Sequence, residues 1–191
     1  MFHKTTLLVT VLTALILTSP THALTWDGSY HLFDSGFEDE LFMINAATAD
    51  FTGGEVVFLL MYDNCQADVY DDATLALIKP FESATVDIHG GTVTSIFALD
   101  SSVMNIFRCS LRDITADNSS IINLYVENDY DYDPNGGIYG HGLLTGTWFN
   151  TTDDFSISLS TYAYDHINFV PEPCSLFTVL LGGIFLSRRK K

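Results

Sequence analysis

Asp131-x-Asp133-x-Asn135 sets three oxygen-bearing side chains at alternate positions immediately before Gly136, and Asp129 carries the alternation one step upstream. Oxygens so spaced, followed by a glycine that permits a sharp bend, copy the first eight positions of a calcium-binding loop. The copy stops there, because the twelfth position, where a bidentate Glu closes such a loop, is Gly142, and nothing suggests flanking helices. Ca²⁺ at Asp131, Asp133 and Asn135 is the one cofactor the sequence raises. An acidic, Tyr-rich turn is the plainer expectation for the same residues.

A second set of chemically able residues is Asp68, Asp87, Asn105 and Asn123, separated by 19, 18 and 18 positions. Carboxylates on neighbouring strands stacked ~4.8 Å apart would approach the ~5 Å separation of a retaining glycosidase pair. The regularity is equally that of an Asn/Asp ladder on a repeating scaffold, so no catalytic residue is expected and the chain is read as non-enzymatic. Arg108 and Arg112, beside Asp113, could serve a lyase acting on acidic sugars, but surface ion pairing is the better account in so acidic a chain. His31, His89, His141 and His166 are isolated in sequence, with no metal-ligand spacing, and no Gly-x-Ser-x-Gly supports a nucleophilic serine. Cys65 and Cys109 fall in different columns of the repeat, more than one coil apart. A disulfide between them is not expected.

The elements that must position these residues come from the repeat. Thr85 to Ser102 reads TVDIHGGTVTSIFALDSS, Val103 to Ser120 reads VMNIFRCSLRDITADNSS, and a third copy opens at Ile121; upstream, the register from Gly53 holds if one residue is inserted. Apolar columns Ala67, Val86, Met104, Ile122 and Val69, Ile88, Ile106, Leu124 flank the Asp/Asn column, which is the alternation of a strand with one face inward. Two more, Val56, Val93, Leu111 and Leu59, Ile96, Ile114, mark a second inward stretch. A strand-turn-strand unit this short buries its apolar side only when copies stack. The expected fold is all-β, a short capped β-solenoid with coils of about 18 residues. Periodicity does not decide between a right-handed β-helix, which is favoured, and a left-handed triangular one; an antiparallel β-sandwich is the alternative. The units resemble those of adhesin-type and autotransporter-like β-helices over about residues 42–125. Residues 24–41 are expected to cap the first end, and a hairpin within about 136–168 the other.

The 191 residues are 47% hydrophobic and carry 24 Asp plus Glu against 8 Lys plus Arg, for a net charge of −16. So apolar a chain is not a disordered acidic one, and so anionic a chain does not grip phosphates, which excludes nucleic acid as a partner. The cations gather at the ends. Lys4, an apolar run from 7 to 17 and small Thr21 and Ala23 form a secretory signal peptide over residues 1–23, with cleavage between Ala23 and Leu24. Residues 24–170 are then the body. Within it, Lys79, Arg108 and Arg112 face 23 carboxylates, a net of −20.

At the far end Val170-Pro171-Glu172-Pro173 precedes an apolar run from 174 to 187 and the cluster Arg188-Arg189-Lys190-Lys191. Fourteen helical residues span roughly 21 Å, short of a ~30 Å hydrocarbon core, so 174–187 suits a transient transmembrane anchor in the inner membrane. The basic cluster would hold the C-terminus inside and the body outside. In this order the parts of 170–191 resemble the PEP-CTERM sorting signal of bacterial exported proteins, with Cys174 standing where a small hydroxyl residue or Ala is more usual. The resemblance implies recognition and removal of the tail by a membrane-embedded exosortase, and delivery to the cell surface or an extracellular polysaccharide matrix. The functional expectation is an exported surface or matrix protein in contact with exopolysaccharide. A carbohydrate-active β-helix enzyme and a calcium-dependent carbohydrate-binding module are the alternatives.

Overall fold

The computed structural model describes residues 23–170 except Tyr139. Residues 1–22 of the expected signal peptide and the tail from Pro171 through Glu172, Pro173 and the 174–187 run to Arg188, Arg189, Lys190 and Lys191 lie outside the described residues.

Long and short strands alternate along the chain. The first coil is β1 (Ala23–Asp27) with β2 (Tyr30–Phe33), the second β3 (Phe37–Ile44) with β4 (Thr48–Phe51), the third β5 (Glu55–Met61) with β6 (Gln66–Val69). Then come β7 (Thr74–Pro80) with β8 (Thr85–Ile88), β9 (Thr92–Ala98) with β10 (Val103–Ile106), and β11 (Ser110–Ala116) with β12 (Ile121–Leu124). After β13 (Asp131–Asp133) and β14 (Leu143–Thr147), β15 (Asp154–Leu159) and β16 (Ile167–Phe169) resume the alternation, joined by a one-turn 3-10 helix at Ala163–His166. Long strands stack into one sheet and short strands into another, parallel at every step up to β15 and β16. This is the expected β-solenoid. Each full coil contributes one strand to each of the two sheets. The antiparallel pairs among the described residues are β13 with β14, β14 with β15 and a bridge between Val126 and Trp148, which leaves no sandwich.

The short strands obey strict alternation, and the two predicted inward columns are buried at every rung from Ala67 to Leu124. The long strands do not. Their inward residues fall at positions 2, 5 and 7, as in Val56, Leu59 and Met61, so the pleat slips by one residue in mid-strand and the strand bends around the core. That slip is why the columns through Val56 and Leu59 stand three apart and not two. Their missing rungs are Leu75 and Ile78 of β7. The one-residue insertion falls in the turn at 70–73, where β7 starts 19 residues after β5.

Bulk is balanced within each coil. The inward residue closing a long strand and the one six positions later in the short strand read Met43/Ala49, Met61/Ala67, Pro80/Val86, Ala98/Met104 and Ala116/Ile122, all buried. In four of these five pairs an alanine accompanies a larger residue, a complementarity that a close-packed interior favours. At the turn from long to short strand, Asn45, Asp63, Glu82, Asp100 and Asn118 form a column with φ between 54° and 61°. Asn and Asp tolerate this left-handed conformation best. Their side chains also brace neighbouring coils: the Asn45 N–H donates to Asp63 Oδ2 at 3.0 Å and the Asp63 N–H to Glu82 Oε2 at 3.0 Å.

Two features differ from expectation. Residues 24–41 are no separate cap but the first coil and the start of the second, with Trp26 and Phe33 in the core. At the other end β14 and β15 do form a hairpin, yet β15 also pairs in parallel with β11 at a separation of 45 residues, as β16 does with β12. The last turn is thus a normal coil carrying an insertion of 27 residues, 45 less 18. Tyr130 of that insertion stacks on Phe169 at 3.9 Å and Tyr132 on Tyr164 at 3.9 Å, which covers the C-terminal cross-section.

Candidate functional site

Strand alternation aims every second side chain of the short-strand sheet outward, and parallel in-register pairing stacks like on like. The outward central row runs Asp50, Asp68, Asp87, Asn105, Asn123 and Asn168. From its C-terminal end it is a chain of amides. Asn168 Nδ2 donates to Asn123 Oδ1 at 3.2 Å, Asn123 Nδ2 to Asn105 Oδ1 at 2.7 Å, and Asn105 Nδ2 to Asp87 Oδ1 at 2.6 Å. Beyond Asp87 the rungs are carboxylates, which cannot donate to one another. Asp68 Oδ1 instead lies 3.3 Å from His89 Nε2, and Asp50 Oδ2 accepts from the Tyr30 hydroxyl at 2.7 Å.

Two residues further along each strand end lies a second outward row, Tyr70, His89, Phe107 and Tyr125, whose rings stack at centroid distances of 5.3, 4.8 and 4.1 Å. The inner faces of these rings are taken up by one another. What the row offers outward is ring edge, while the neighbouring row offers a strip of carboxylate and amide groups at the coil spacing. The electrostatics are concentrated at Asp68. Burial foremost, then the charges of Asp87 and Asp50, hold its carboxyl above the ordinary value, with the His89 contact working the other way. Burial and the same carboxylate row push the Tyr70 hydroxyl up as well.

Among the described residues, the His, Cys, Asp and Glu side chains that converge with metal-ligand geometry are Asp68, Asp87 and His89, whose donor atoms all lie within 4.8 Å of one another. Asp131 and Asp133, two of the three residues raised for Ca²⁺, lie in β13, an extended strand paired with β14, and Asp133 Oδ1 accepts from the Asn135 N–H at 2.9 Å in the acidic turn that follows. Both arginines are engaged with acids: Arg108 Nη2 lies 2.6 Å from Asp71 Oδ1, and Arg112 Nε lies 2.7 Å from Asp113 Oδ2. Arg108 reaches back across two coils because Gly90 between them has no side chain; a Cβ there would lie 1.9 Å from Asp71 Oδ1. A cleft of about 370 Å³ beside this pair is lined also by Trp148 and Asp153 of the insertion and by Asp154, which opens β15.

Cys65 and Cys109 are buried free thiols. Burial pushes Cys109 up to about 12, so it is an inert core residue. Of the predicted processing sites, Ala23 and Leu24 open β1, and the Val170 N–H donates to Leu124 O at 2.9 Å. Among the described residues no helix is long and apolar enough to cross a membrane. Histidine 89 was missed from sequence because its partners are one coil back and two residues back. The signal was present in the period: Asp68 and Asp87 share a column, and His89 follows Asp87 by two. The chain matches no family model, no curated protein and no solved structure.

Proposed function

We propose that this is an exported, non-enzymatic surface or matrix protein, carried by its PEP-CTERM-like tail to an exosortase and contacting extracellular polysaccharide through the outward face of the short-strand sheet. The observation that carries the reading is the strip from Asp68 to Asn123, with acceptors and amide donors repeated at the coil spacing beside a row of aromatic edges. A linear glycan presents hydroxyls at a similarly regular interval, and each hydroxyl both donates and accepts. The body's net charge of −20 directs the choice toward neutral polysaccharide over acidic. Export and sorting rest on the residues at the two ends alone.

The test is glycan-array and pull-down binding by the full-length chain in mild detergent, beside the Asn105→Ala/Asn123→Ala double variant. Binding of neutral glycans that drops at least roughly tenfold in the variant, with unchanged circular dichroism, supports the reading. Depolymerisation of a polysaccharide that disappears in Asp87→Asn would replace it with the enzymatic one. For sorting, the intact mass of surface-extracted protein should lack the residues beyond about Pro173; a retained Lys191 refutes processing.

A further inference from the structure

We propose that Asp68, Asp87 and His89 form a binding site for a divalent transition-metal ion of the Zn²⁺ class. The site comprises two carboxylates from consecutive coils, on β6 and β8, and an imidazole two residues beyond the second carboxylate. Two ligands at ~2.1 Å around a tetrahedral ion stand roughly 3.4 Å apart. His89 Nε2 and Asp68 Oδ1 stand 3.3 Å apart, and small rotations about the Asp87 side chain bring the third oxygen from within 4.8 Å into the same sphere.

Three further observations favour an ion. The imidazole plane is already fixed, held between the rings of Tyr70 and Phe107 at 5.3 and 4.8 Å, so little side-chain freedom remains to be lost on binding. The ladder changes from amide to carboxylate here: amides that satisfy one another give way to stacked carboxylates that repel, and the histidine follows the carboxylate at that junction by two residues. The cations of the body are committed elsewhere, Arg108 to Asp71, Arg112 to Asp113 and Lys79 over the ring of Phe81. An imidazole nitrogen suits borderline ions such as Zn²⁺ over Ca²⁺, which takes all-oxygen sets. The side chains of Asp68 and His89 are each 37% exposed, which leaves room for water to complete the coordination. The inference is independent of glycan binding.

The experiment is calorimetric titration of the full-length chain with Zn²⁺ and, separately, with Ca²⁺. One Zn²⁺ per chain is expected. His89→Phe keeps a ring in the stack and removes the ligand, and should weaken Zn²⁺ binding by roughly 100-fold; Asp87→Asn keeps the acceptor for Asn105 and should weaken it by roughly tenfold or more. The Asp131→Asn/Asp133→Asn variant should bind as the parent does. Should His89→Phe fail to fold, the His89 imidazole ¹⁵N resonances of the unaltered chain should move on adding Zn²⁺. No saturable Zn²⁺ binding, Zn²⁺ binding undiminished in His89→Phe, unmoved His89 resonances, or Ca²⁺ binding as tight as Zn²⁺ each overturns the proposal.

Discussion

Asp68 shows how a single rung can work against the stack it belongs to. Its carboxyl is raised by burial and by Asp87 and Asp50. Between the ordinary value of 3.8 and the raised one, the folded chain holds the proton more tightly than the unfolded chain does. The contribution of Asp68 to stability therefore falls as pH rises through that interval, and stays unfavourable above it. Asp68→Asn, which extends the Asn105–Asn123 pattern, should stabilise the fold at pH 7 in chelator-treated buffer by less than about 1 kcal/mol, because the group is more than a third exposed, and so raise the melting temperature. At pH 3.5 the difference should shrink. Melts that show Asp68→Asn less stable at pH 7 would mean the His89 contact outweighs the repulsion. Ser102 and Ser120, adjacent rungs of an inner turn column, have buried hydroxyls without a hydrogen-bond partner; nothing in the structure explains them.

At the scale of the coil, the reciprocal bulk of the paired inward positions predicts that they share interior space. Ala98/Met104 carries the large residue on the short strand, Met61/Ala67 on the long one. Met104→Ala alone should cost about 2–5 kcal/mol through the cavity it leaves. Ala98→Met added to it reproduces the Met61/Ala67 arrangement and should restore most of that loss in urea unfolding. A double variant no better than the single one would show that the two positions do not share a space. The coil itself was legible, because parallel stacking puts chemically similar residues in register and the period survives in the sequence. The mid-strand slip was visible only as columns three apart, an interval that no regular strand explains. The first coil was hidden because Leu32 occupies the rung where Asp50 and Asp68 follow, and the return of the coil in β15 because 27 inserted residues break the period. The Asp68–Asp87–His89 set was illegible for a different reason. Asp87 and His89 are close along the chain, but Asp68 joins them only across a turn of the solenoid, whereas sequence motifs for metal sites describe ligands that are all neighbours along the chain.

Over residues 24–170 as a whole, 23 carboxylates against three cations make self-repulsion a general term. Added salt screens it over a Debye length of ~10 Å at 0.1 M. Melting temperature should therefore rise between 10 and 150 mM NaCl; a fall would mean that the pairs Arg108–Asp71 and Arg112–Asp113 matter more than the net field. The acidic surface also opposes end-to-end association at the β1 and β2 edges, where Tyr30 and Leu32 are exposed at 61% and 55%.

The constant step of the coil has a mechanical consequence. A load applied through residue 170 meets β16 first, and the coils lie in series behind it, so they detach one after another from the C-terminal side. At ~3.4 Å per extended residue, each ordinary coil of about 18 residues pays out roughly 60 Å of chain, and the lengthened last turn of 45 residues roughly 150 Å. Single-molecule stretching should record one long extension followed by a train of short equal ones. A single abrupt extension of the entire body would show that the solenoid yields as one unit. A protein that gives way in this manner lengthens under shear by increments and re-forms from the coils still standing.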